Sequence, residues 1–390
     1  MTLSISDACF FAGDTESLLE HLYSSLNILV KNPNIANQVS QQLLDTALSI
    51  EALDFIRELL VFMNSQGITA NPYELFRLKQ LQAEPAALKV LSSLFDNYDQ
   101  TLEVVSKAST QVVCIDAYEL GGLGDYVEAI CLLLNLVQHR LPYLHVNIRL
   151  PTDFSIALNG IFEGTTISFT QCSWEARRVP GAIHLLTLSA IARIEYGLTP
   201  QGFNHLSSKY FSDPVHCSSK VLELTRRAAG QPLLIWNSQS QPKLNPKSLR
   251  RSYYHRSLHH SYWQLHLNIL TGENFVIDIS DYPAGWPQAH DQPNYLRISA
   301  KKFSFAELMY LCLRSSKLVT IDSLLAHLGA SLACSVDLLL AVGHEQRWFI
   351  DFGLQESMYT RHCKVYKQKS LHGWGQMSSI PRLKPINMGI

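Results

Sequence analysis

Apolar residues in the N-terminal part of the chain recur three or four positions apart, which is the spacing of one face of an α-helix. The segment SLLEHLYSSLNILV shows this spacing, and Asp14 stands before it as a candidate N-cap. Asn32 and Pro33 end the pattern, and further helical patterns follow, one of them ending at Gly67. We therefore predict an all-α domain over residues 1–108. The sequence shows no clear repeat of about 34 residues, so a tetratricopeptide-like array and an irregular helical domain both fit the pattern. The candidate buried face of the first helix consists of Leu18, Leu22, Leu26 and Leu29.

The pattern changes at Gln111, where short apolar runs typical of β-strands begin to alternate with helical ones. Such alternation predicts an α/β protein in which parallel sheets are covered by helices. The alternation occurs in two series, which predicts two Rossmann-like domains that face a cleft, over residues 109–220 and 221–390. Ligands of such sheets bind beyond the carboxyl ends of the strands, so the residues directly after each strand are candidate site residues. The predicted strands are VVCIDA, LHVNIRL, TISFT and AIHLLTLS in the first domain, and PLLIWNS, NFVIDIS, YLRIS, KLVTID and VDLLLAV in the second.

Composition narrows the class of protein. The 390 residues are 47% hydrophobic and 17% charged, with a formal net charge of −1, which is typical of a globular protein and supplies no basic field for nucleic acid. No apolar run approaches the roughly 20 residues of a spanning helix, and the start of the chain lacks the pattern of a signal peptide. The eight cysteines are scattered without a C-x-x-C pair, which predicts reduced thiols rather than disulfides or a zinc site. We expect a cytoplasmic protein without a nucleic-acid partner or a transmembrane segment.

The first candidate site is the stretch GGLGD, which lies between the predicted strand VVCIDA and the helix that follows it. Gly121, Gly122 and Gly124 expose the backbone there, and amides at a helix start attract anions or sugar hydroxyls. The spacing matches neither the dinucleotide fingerprint G-x-G-x-x-G nor a P-loop. Asp125 falls in the first turn of the helix, where a carboxylate complements the helix dipole. On spacing alone, this capping role is favoured over a catalytic role.

The second candidate site is the stretch LVTIDSLLAHLGASLA in the second domain. Asp322 ends a predicted strand, and Ser323 opens a helix whose first amides suit a phosphate. His327 lies one turn further along, within reach of a ligand at that helix start. The structural alternative is an aspartate N-cap followed by a buried histidine.

The third candidate site is the loop WNSQSQPKLNPKSLRRSYYHRS, which follows the first predicted strand of the second domain. Lys243, Arg250 and Arg251 give this loop positive charge, and Trp236 stands at the end of the strand. Cationic side chains of this kind bind phosphate oxygens, so a nucleotide diphosphate suits the loop. A solvated surface loop is the alternative, because most basic runs simply face water.

In this order, the three stretches resemble the ADP-heptose:lipopolysaccharide heptosyltransferases, a family of GT-B glycosyltransferases that includes relatives fused to tetratricopeptide-like helices. Residues 123–125 match the Leu-Gly-Asp signature of the family's first strand–helix junction. Residues 322–328 match its D-[ST]-x-x-x-H-L signature, and Trp236 with residues 251–252 resembles the donor loop of the helix-fused relatives. The resemblance covers roughly residues 111–375. The α/β part is short for two full GT-B domains, which predicts a trimmed first domain.

The resemblance implies roles for the residues at these three places. Asp125 would be the general base that takes a proton from the acceptor hydroxyl. The helix beginning at Ser323 would hold the leaving diphosphate, and Arg250 or Arg251 would add charge, so that no metal is needed. His327 would support that loop or touch the donor. The glycines before Asp125 would open the acceptor side of the cleft.

The implied activity is inverting transfer of a sugar from a nucleotide-diphosphate sugar, without a further cofactor, to a hydroxyl of a glycan or a protein. The family points to a lipopolysaccharide core at the inner face of the inner membrane, whereas the N-terminal helices point to a polypeptide acceptor. The alternative is a non-catalytic GT-B-like partner subunit that binds a protein through its helical domain. A nicotinamide oxidoreductase is disfavoured, because neither half carries the dinucleotide fingerprint.

Overall fold

The chain order is helices first, then two parallel sheets with their own helices. None of the described helices is both long and apolar enough to cross a membrane. The computed structural model describes residues 9–10, 12–81, 90, 92, 95, 97–107, 112–116, 123–173, 179–212, 218–228, 230–239, 256–258, 267–268, 270–282, 293–343 and 357–368.

The N-terminal helices bury the faces that the sequence pattern predicts. Asp14 accepts a hydrogen bond from the backbone N–H of Ser17 at 3.0 Å and so caps the first helix. The four leucines of that helix lie in the core of this domain. Gly67 follows the third helix with a φ of 66°, a conformation that glycine adopts without strain. The helices are α1 (Thr15–Lys31), α2 (Ala36–Ser49), α3 (Leu53–Ser65), α4 (Pro72–Leu81) and α5 (Tyr98–Lys107), and a 3-10 helix spans Pro33–Ile35.

The first α/β half has the strands β1 (Val112–Asp116), β2 (His145–Pro151), β3 (Ile167–Cys172) and β4 (Ile183–His184). They form a parallel sheet in the order β3-β2-β1-β4. Its helices are α6 (Leu123–His139), α7 (Thr152–Ile161), α8 (Leu185–Ile194) and α9 (Asn204–Tyr210).

The prediction of a strand over AIHLLTLS is wrong for most of its length. Only β4 pairs with β1, and a helix begins at Leu185. Nδ1 of His184 accepts a hydrogen bond from the N–H of Leu186 at 3.2 Å, which caps α8 and ends the strand. The other three strands predicted for this half are confirmed.

The second α/β half has the strands β5 (Leu233–Asn237), β6 (Phe275–Asp278), β7 (Tyr295–Arg297), β8 (Lys317–Ile321), β9 (Val336–Leu340) and β10 (Cys363–Lys367). They form a parallel sheet in the order β10-β9-β8-β5-β6-β7. The five strands predicted here are confirmed, and β10 is a sixth that the sequence pattern did not predict. Its helices are α10 (Ser219–Arg227), α11 (Phe305–Arg314), α12 (Leu324–Ser331) and α13 (Met358–His362), with a 3-10 helix over Ala300–Lys302. The predicted boundary at 220/221 falls inside α10.

The two α/β halves share one hydrophobic core. The rings of Phe154 in α7 and Phe305 in α11 lie 3.8 Å apart, measured between centroids. α6 is buried along almost its whole length, which is typical of a helix covered on more than one side. Apolar packing of this kind holds the two sheets in a defined relative position. The predicted class, two parallel α/β units preceded by helices, agrees with this architecture.

Candidate functional site

The site lies where α6 and α12 run side by side. Near their starts, Gly124 contacts His327. Further along both helices, the N–H of Gln201 donates to the carbonyl oxygen of Cys131 in α6 at 3.3 Å, and the N–H of Phe203 donates to that of Ser331 in α12 at 2.8 Å. The two helices therefore point in the same direction. Because β1 leads into α6 and β8 leads into α12, the carboxyl ends of both sheets open at one place, where ligands of α/β proteins bind.

Gly124 is in contact with His327 because it has no side chain. A methyl group built on Gly124 would lie 2.4 Å from Cδ2 and 2.8 Å from Nε2 of the imidazole. These distances are far inside van der Waals contact, so any side chain at this position must displace the ring. The Leu-Gly-Asp stretch and the D-S-x-x-x-H-L stretch, which the sequence places in different halves, are brought together by this contact.

The imidazole of His327 is buried and its orientation is fixed. Its side chain is 3% exposed, and Nδ1 lies 2.7 Å from Oη of Tyr359, a hydrogen-bonding distance. The two rings also meet edge to face, with centroids 5.5 Å apart. The other nitrogen, Nε2, lies 3.9 Å from Oδ1 of Asp322. The histidine thus links the strand end at Asp322, the helix α13 and the start of α6.

The side chain at the N-cap position of α12 does not cap the helix. Ser323, rather than Asp322, occupies the N-cap position, and it makes no side-chain cap hydrogen bond to the helix. Its Oγ instead accepts a hydrogen bond from Nδ2 of Asn237 at 3.0 Å and lies 3.0 Å from Oγ1 of Thr320. A helix start with uncapped amides and a positive dipole end suits an anionic group of a ligand.

Hydrogen bonds continue from Asn237 along the carboxyl edge of the second sheet. The N–H of Ser238 donates to Oγ of Ser280 at 2.8 Å, and Oγ of Ser238 lies 3.0 Å from Oη of Tyr282. These bonds join the end of β5 to the segment that follows β6. Together with the bond from Asn237 to Ser323, they connect the ends of three neighbouring strands.

Asp278 is the centre of this polar edge. Its carboxylate is fully buried and accepts hydrogen bonds from Oη of Tyr282 at 2.7 Å and Oη of Tyr295 at 2.6 Å. A third bond comes from the N–H of Ser280 at 2.9 Å. Burial raises the pKa of Asp278, and the hydrogen bonds from Tyr295, Ser280 and Tyr282 oppose the shift. The network thereby also ties β7 to β6.

Asp125 lies in the first turn of α6, one residue after the contact with His327. Burial raises the pKa of the neighbouring Tyr126 to about 12, and the charge of Asp125 adds to that shift. The position of Asp125 allows both predicted roles. It complements the dipole of α6, and it stands at the junction of two helix starts where a hydroxyl could meet it.

The remaining predicted site residues are placed as follows. Trp236 is completely buried in an apolar cluster of the second half, so its side chain packs in the core. Lys243, Arg250 and Arg251, predicted for the donor loop, lie outside the described residues, and so do Gly121 and Gly122. Within the described parts of the chain, no group of three or more His, Cys, Asp or Glu side chains comes together as a metal-binding set.

Sequence reasoning missed three residues of the site. Asn237 follows directly after Trp236, and its position at a strand end was the available signal. Asp278 ends a strand in NFVIDIS, again where site residues are expected. Tyr359 gave no signal, because its contact with His327 depends on a helix, α13, that the sequence pattern did not predict.

Comparison with known proteins gives structural likenesses only. No family model matches the chain, and no curated protein matches it. Solved structures to which it is similar include the E. coli heptosyltransferase WaaC with ADP, at 8% identity and a TM-score of 0.42, covering 68% of this chain and 96% of that chain. The family 9 glycosyl transferase from Veillonella parvula is similar at 12% identity and a TM-score of 0.39, with 67% and 87% covered.

A third similar structure is the iron-containing dodecameric glycosyltransferase TibC from enterotoxigenic E. coli, at 14% identity and a TM-score of 0.41. The match covers 60% of this chain and spans 59% of TibC. At TM-scores of this size, the case for an activity depends on the residues of this chain alone.

Proposed function

We propose that the protein is an inverting glycosyltransferase that moves a sugar from a nucleotide-diphosphate sugar to a hydroxyl group of a glycan or protein. The contact between Gly124 and His327 carries the proposal. It joins the Leu-Gly-Asp stretch to the D-S-x-x-x-H-L stretch at the place where the carboxyl ends of both sheets open. A base and an anion-binding helix start are then neighbours, as transfer between a hydroxyl and a diphosphate ester requires.

In the proposed reaction, the carboxylate of Asp125 takes the proton of the acceptor hydroxyl as its oxygen attacks the anomeric carbon. The bond between that carbon and the diphosphate oxygen breaks, and the nucleoside diphosphate leaves with the electron pair. The first amides of α12 and its dipole stabilise the charge that develops on the diphosphate. Arg250 and Arg251 are proposed to supply further positive charge in place of a metal ion.

Substitution of Ser323 tests the diphosphate site. An aspartate there would cap α12, which favours folding, but would repel an anion at the same amides. For Ser323→Asp we expect calorimetry to show an affinity for nucleoside diphosphates lower by about tenfold or more, equivalent to about 1.4 kcal/mol. The wild-type protein is titrated with ADP, UDP, GDP and dTDP, and ADP comes first because of the family resemblance.

The matched control is Ser304→Asp. Ser304 is the N-cap of α11 in the same half, and its Oγ accepts a hydrogen bond from the N–H of Glu307 at 3.2 Å. An aspartate can make the same hydrogen bond, so α11 should still fold. Because the proposed diphosphate site is the start of α12 and not that of α11, nucleotide affinity should not change. Equal losses in both variants would contradict a site at α12.

Substitution of Asp125 separates a base from a dipole-complementing residue. Once the nucleotide sugar that the wild-type protein uses is identified, Asp125→Asn should lower turnover by about 10²- to 10⁴-fold, the contribution of general base catalysis. Nucleotide affinity should stay within about fivefold, since less than about 1 kcal/mol of dipole interaction is removed. Undiminished turnover would rule out Asp125 as the base. Wild-type protein that binds no nucleotide would instead favour the non-catalytic partner subunit.

A further inference from the structure

The turn between α2 and α3 joins the helical domain to the second sheet. Glu51 in this turn accepts a hydrogen bond from the N–H of Gly343 at 2.9 Å, and its carboxylate lies 2.8 Å from Nζ of Lys367. Gly343 follows β9 and Lys367 ends β10, which are neighbouring strands. Val342 adds an apolar contact, because its side chain is buried in the core of the helical domain. The contact therefore combines a hydrogen bond, an ion pair and hydrophobic packing.

The backbone of Glu51 suits glycine better than glutamate. Its φ is 55°, in the left-handed region that glycine and asparagine adopt more readily than other residues. The backbone conformation of the turn therefore does not favour a glutamate. The side chain of Glu51 instead stabilises the contact with the second sheet, because it bonds to Gly343 and Lys367.

Gly343 fits the opposite side of the contact closely. Its φ is 67°, and a methyl group built on it would lie 2.6 Å from the carbonyl oxygens of both Leu48 and Ser49. Only glycine satisfies both the conformation and the space. The neighbouring N–H of Val342 donates to Oε1 of Gln368 at 3.1 Å, so consecutive amides of this turn are held by different side chains.

The turn lies beside the proposed diphosphate site. β9 pairs with β8, with Leu339 opposite Ile321, and neighbouring strands are about 4.8 Å apart. Continued by one and two residues, this register sets Asp322 beside the end of β9 and Ser323 beside the first residue of the turn that leads to Gly343. We propose that Glu51 is a positioning residue for the donor: through it, the helical domain fixes the turn after β9 and so sets the affinity for the donor nucleotide. This inference depends on the proposed nucleotide-sugar site.

The experiment uses Glu51→Gly in the full chain. Glycine relieves the positive φ, so folding is retained, while the link to Gly343 and Lys367 is lost. Hydrogen exchange should become about tenfold faster at the Gly343 amide, because it loses its acceptor. Affinity for ADP, or for whichever diphosphate the wild type prefers, should fall by roughly three- to tenfold. Coupling is reciprocal, so in the wild type the same nucleotide should slow exchange at the turn between α2 and α3.

Two variants give this test its specificity. Asn97→Gly makes the same backbone change at a second positive φ, 68°, in the helical region, and should leave both readouts unchanged. Glu51→Gln keeps an oxygen for the Gly343 amide and loses only an ion pair whose lysine is partly exposed. Such partly exposed ion pairs contribute little, so Glu51→Gln should keep most of the wild-type affinity for the nucleotide.

The outcomes separate this proposal from the proposed function. Wild-type nucleotide affinity in Glu51→Gly, or a Gly343 amide that stays protected, would overturn the role of Glu51 and leave the diphosphate site intact. A wild-type protein that binds no nucleoside diphosphate would overturn the proposed function, and the positioning role with it. In that case faster exchange in Glu51→Gly would show only that the contact holds the two domains together.

Discussion

The two sheets present different chemistry at their carboxyl ends. In the second sheet, hydrogen bonds join the strand ends from Ser323 through Asn237 to the buried Asp278. The first sheet meets this edge through the start of α6, where Gly124 touches His327 and Asp125 is the next residue. Under the proposed function, the second sheet would hold the nucleotide and the first sheet would bring Asp125 close to it. We call the hydrogen-bonded carboxyl edge of the second sheet the holding edge. Removing one of its hydrogen bonds should lower stability or nucleotide affinity, whereas a larger side chain at Gly124 should displace Asp125 and lower turnover.

The largest loss of stability is expected for Asp278→Asn. Two tyrosine hydroxyls and one amide donate to the carboxylate, and an asparagine replaces one acceptor oxygen by a donor. We expect the free energy of unfolding to fall by about 3 kcal/mol, the cost of unsatisfied buried donors. Urea denaturation measures the change. The control is Asp281→Asn, which loses the ion pair with the largely exposed Lys301 but keeps an oxygen that can accept the hydrogen bond from Oγ of Ser299, so it should cost about 1 kcal/mol or less.

The effect of Asp278→Asn should depend on pH. Burial raises the pKa of Asp278 in the folded protein, so the folded state binds its proton more tightly than the unfolded state does. The stability contributed by this group is present below the unfolded pKa and is lost as the pH rises through the folded pKa. Asparagine does not titrate. The stability difference between wild type and variant should therefore shrink as the pH rises, and a constant difference would contradict the raised pKa.

Gly124→Ala tests the close contact between the start of α6 and His327. A helical glycine replaced by alanine ordinarily gains about 1 kcal/mol of stability. Here the new methyl group collides with the His327 ring, so we expect a loss of about 2 kcal/mol, the cost of overpacking. Nucleotide affinity should change little, because the holding edge is intact, while turnover falls as Asp125 is displaced. Thermal unfolding and calorimetry measure the two effects.

A double-mutant cycle decides whether the collision is the cause. His327→Ala removes the ring that the new methyl group would meet. In that background, Gly124→Ala should no longer destabilise the protein and should regain the usual gain of a helical alanine. The same loss in both backgrounds would mean that Gly124 is required for another reason.

Much of the fold could be predicted from periodicity, and the exceptions have physical reasons. β8 and β9 are apolar runs buried on both faces, so their pattern was clear. AIHLLTLS is just as apolar, but a capping hydrogen bond that His184 accepts from the N–H of Leu186 favours a helix after two strand residues. β10 is an edge strand with the mixed sequence CKVYK, and its place beside β9 depends on pairing rather than on pattern.

The candidate site was predictable only as separate parts. Asp125 and Ser323 are predicted as candidates because each lies where a strand is followed by the start of a helix. That Gly124 touches His327 could not be predicted, since it depends on how the two halves pack. The same holds for Glu51, whose partners stand at the far end of the chain. Contacts between residues distant in sequence carry no local pattern, and here they decide the geometry of the site.

Asn237→Ala removes one link of the holding edge. The Oγ of Ser323 loses one of its two hydrogen-bonding contacts and keeps the one with Thr320, so we expect about 1 kcal/mol less stability and a roughly fivefold lower affinity for the diphosphate. Asn147→Ala is the control, because Asn147 donates the same kind of bond to Ser168 on the neighbouring strand of the first sheet and also accepts one from Thr170, both of them exposed. Its loss should lower stability to a similar or smaller extent and leave nucleotide affinity unchanged. A loss of affinity in both variants would remove the distinction between the sheets.

The smallest effect is expected for Tyr359→Phe, which keeps the edge-to-face ring contact with His327 and removes only the hydroxyl at Nδ1. One hydrogen bond of this kind contributes about 1 kcal/mol, so the melting temperature should fall by a few degrees at most. Without the hydroxyl the imidazole can turn, and the surface that meets Gly124 is less well defined. Turnover should therefore fall a few-fold while nucleotide affinity is kept, as for Gly124→Ala but more weakly. Tyr143→Phe, at a side chain that is 74% exposed, is the control and should change neither quantity. A loss of nucleotide affinity in Tyr359→Phe would contradict this, because the His327 ring would then act on the diphosphate rather than on the position of Asp125.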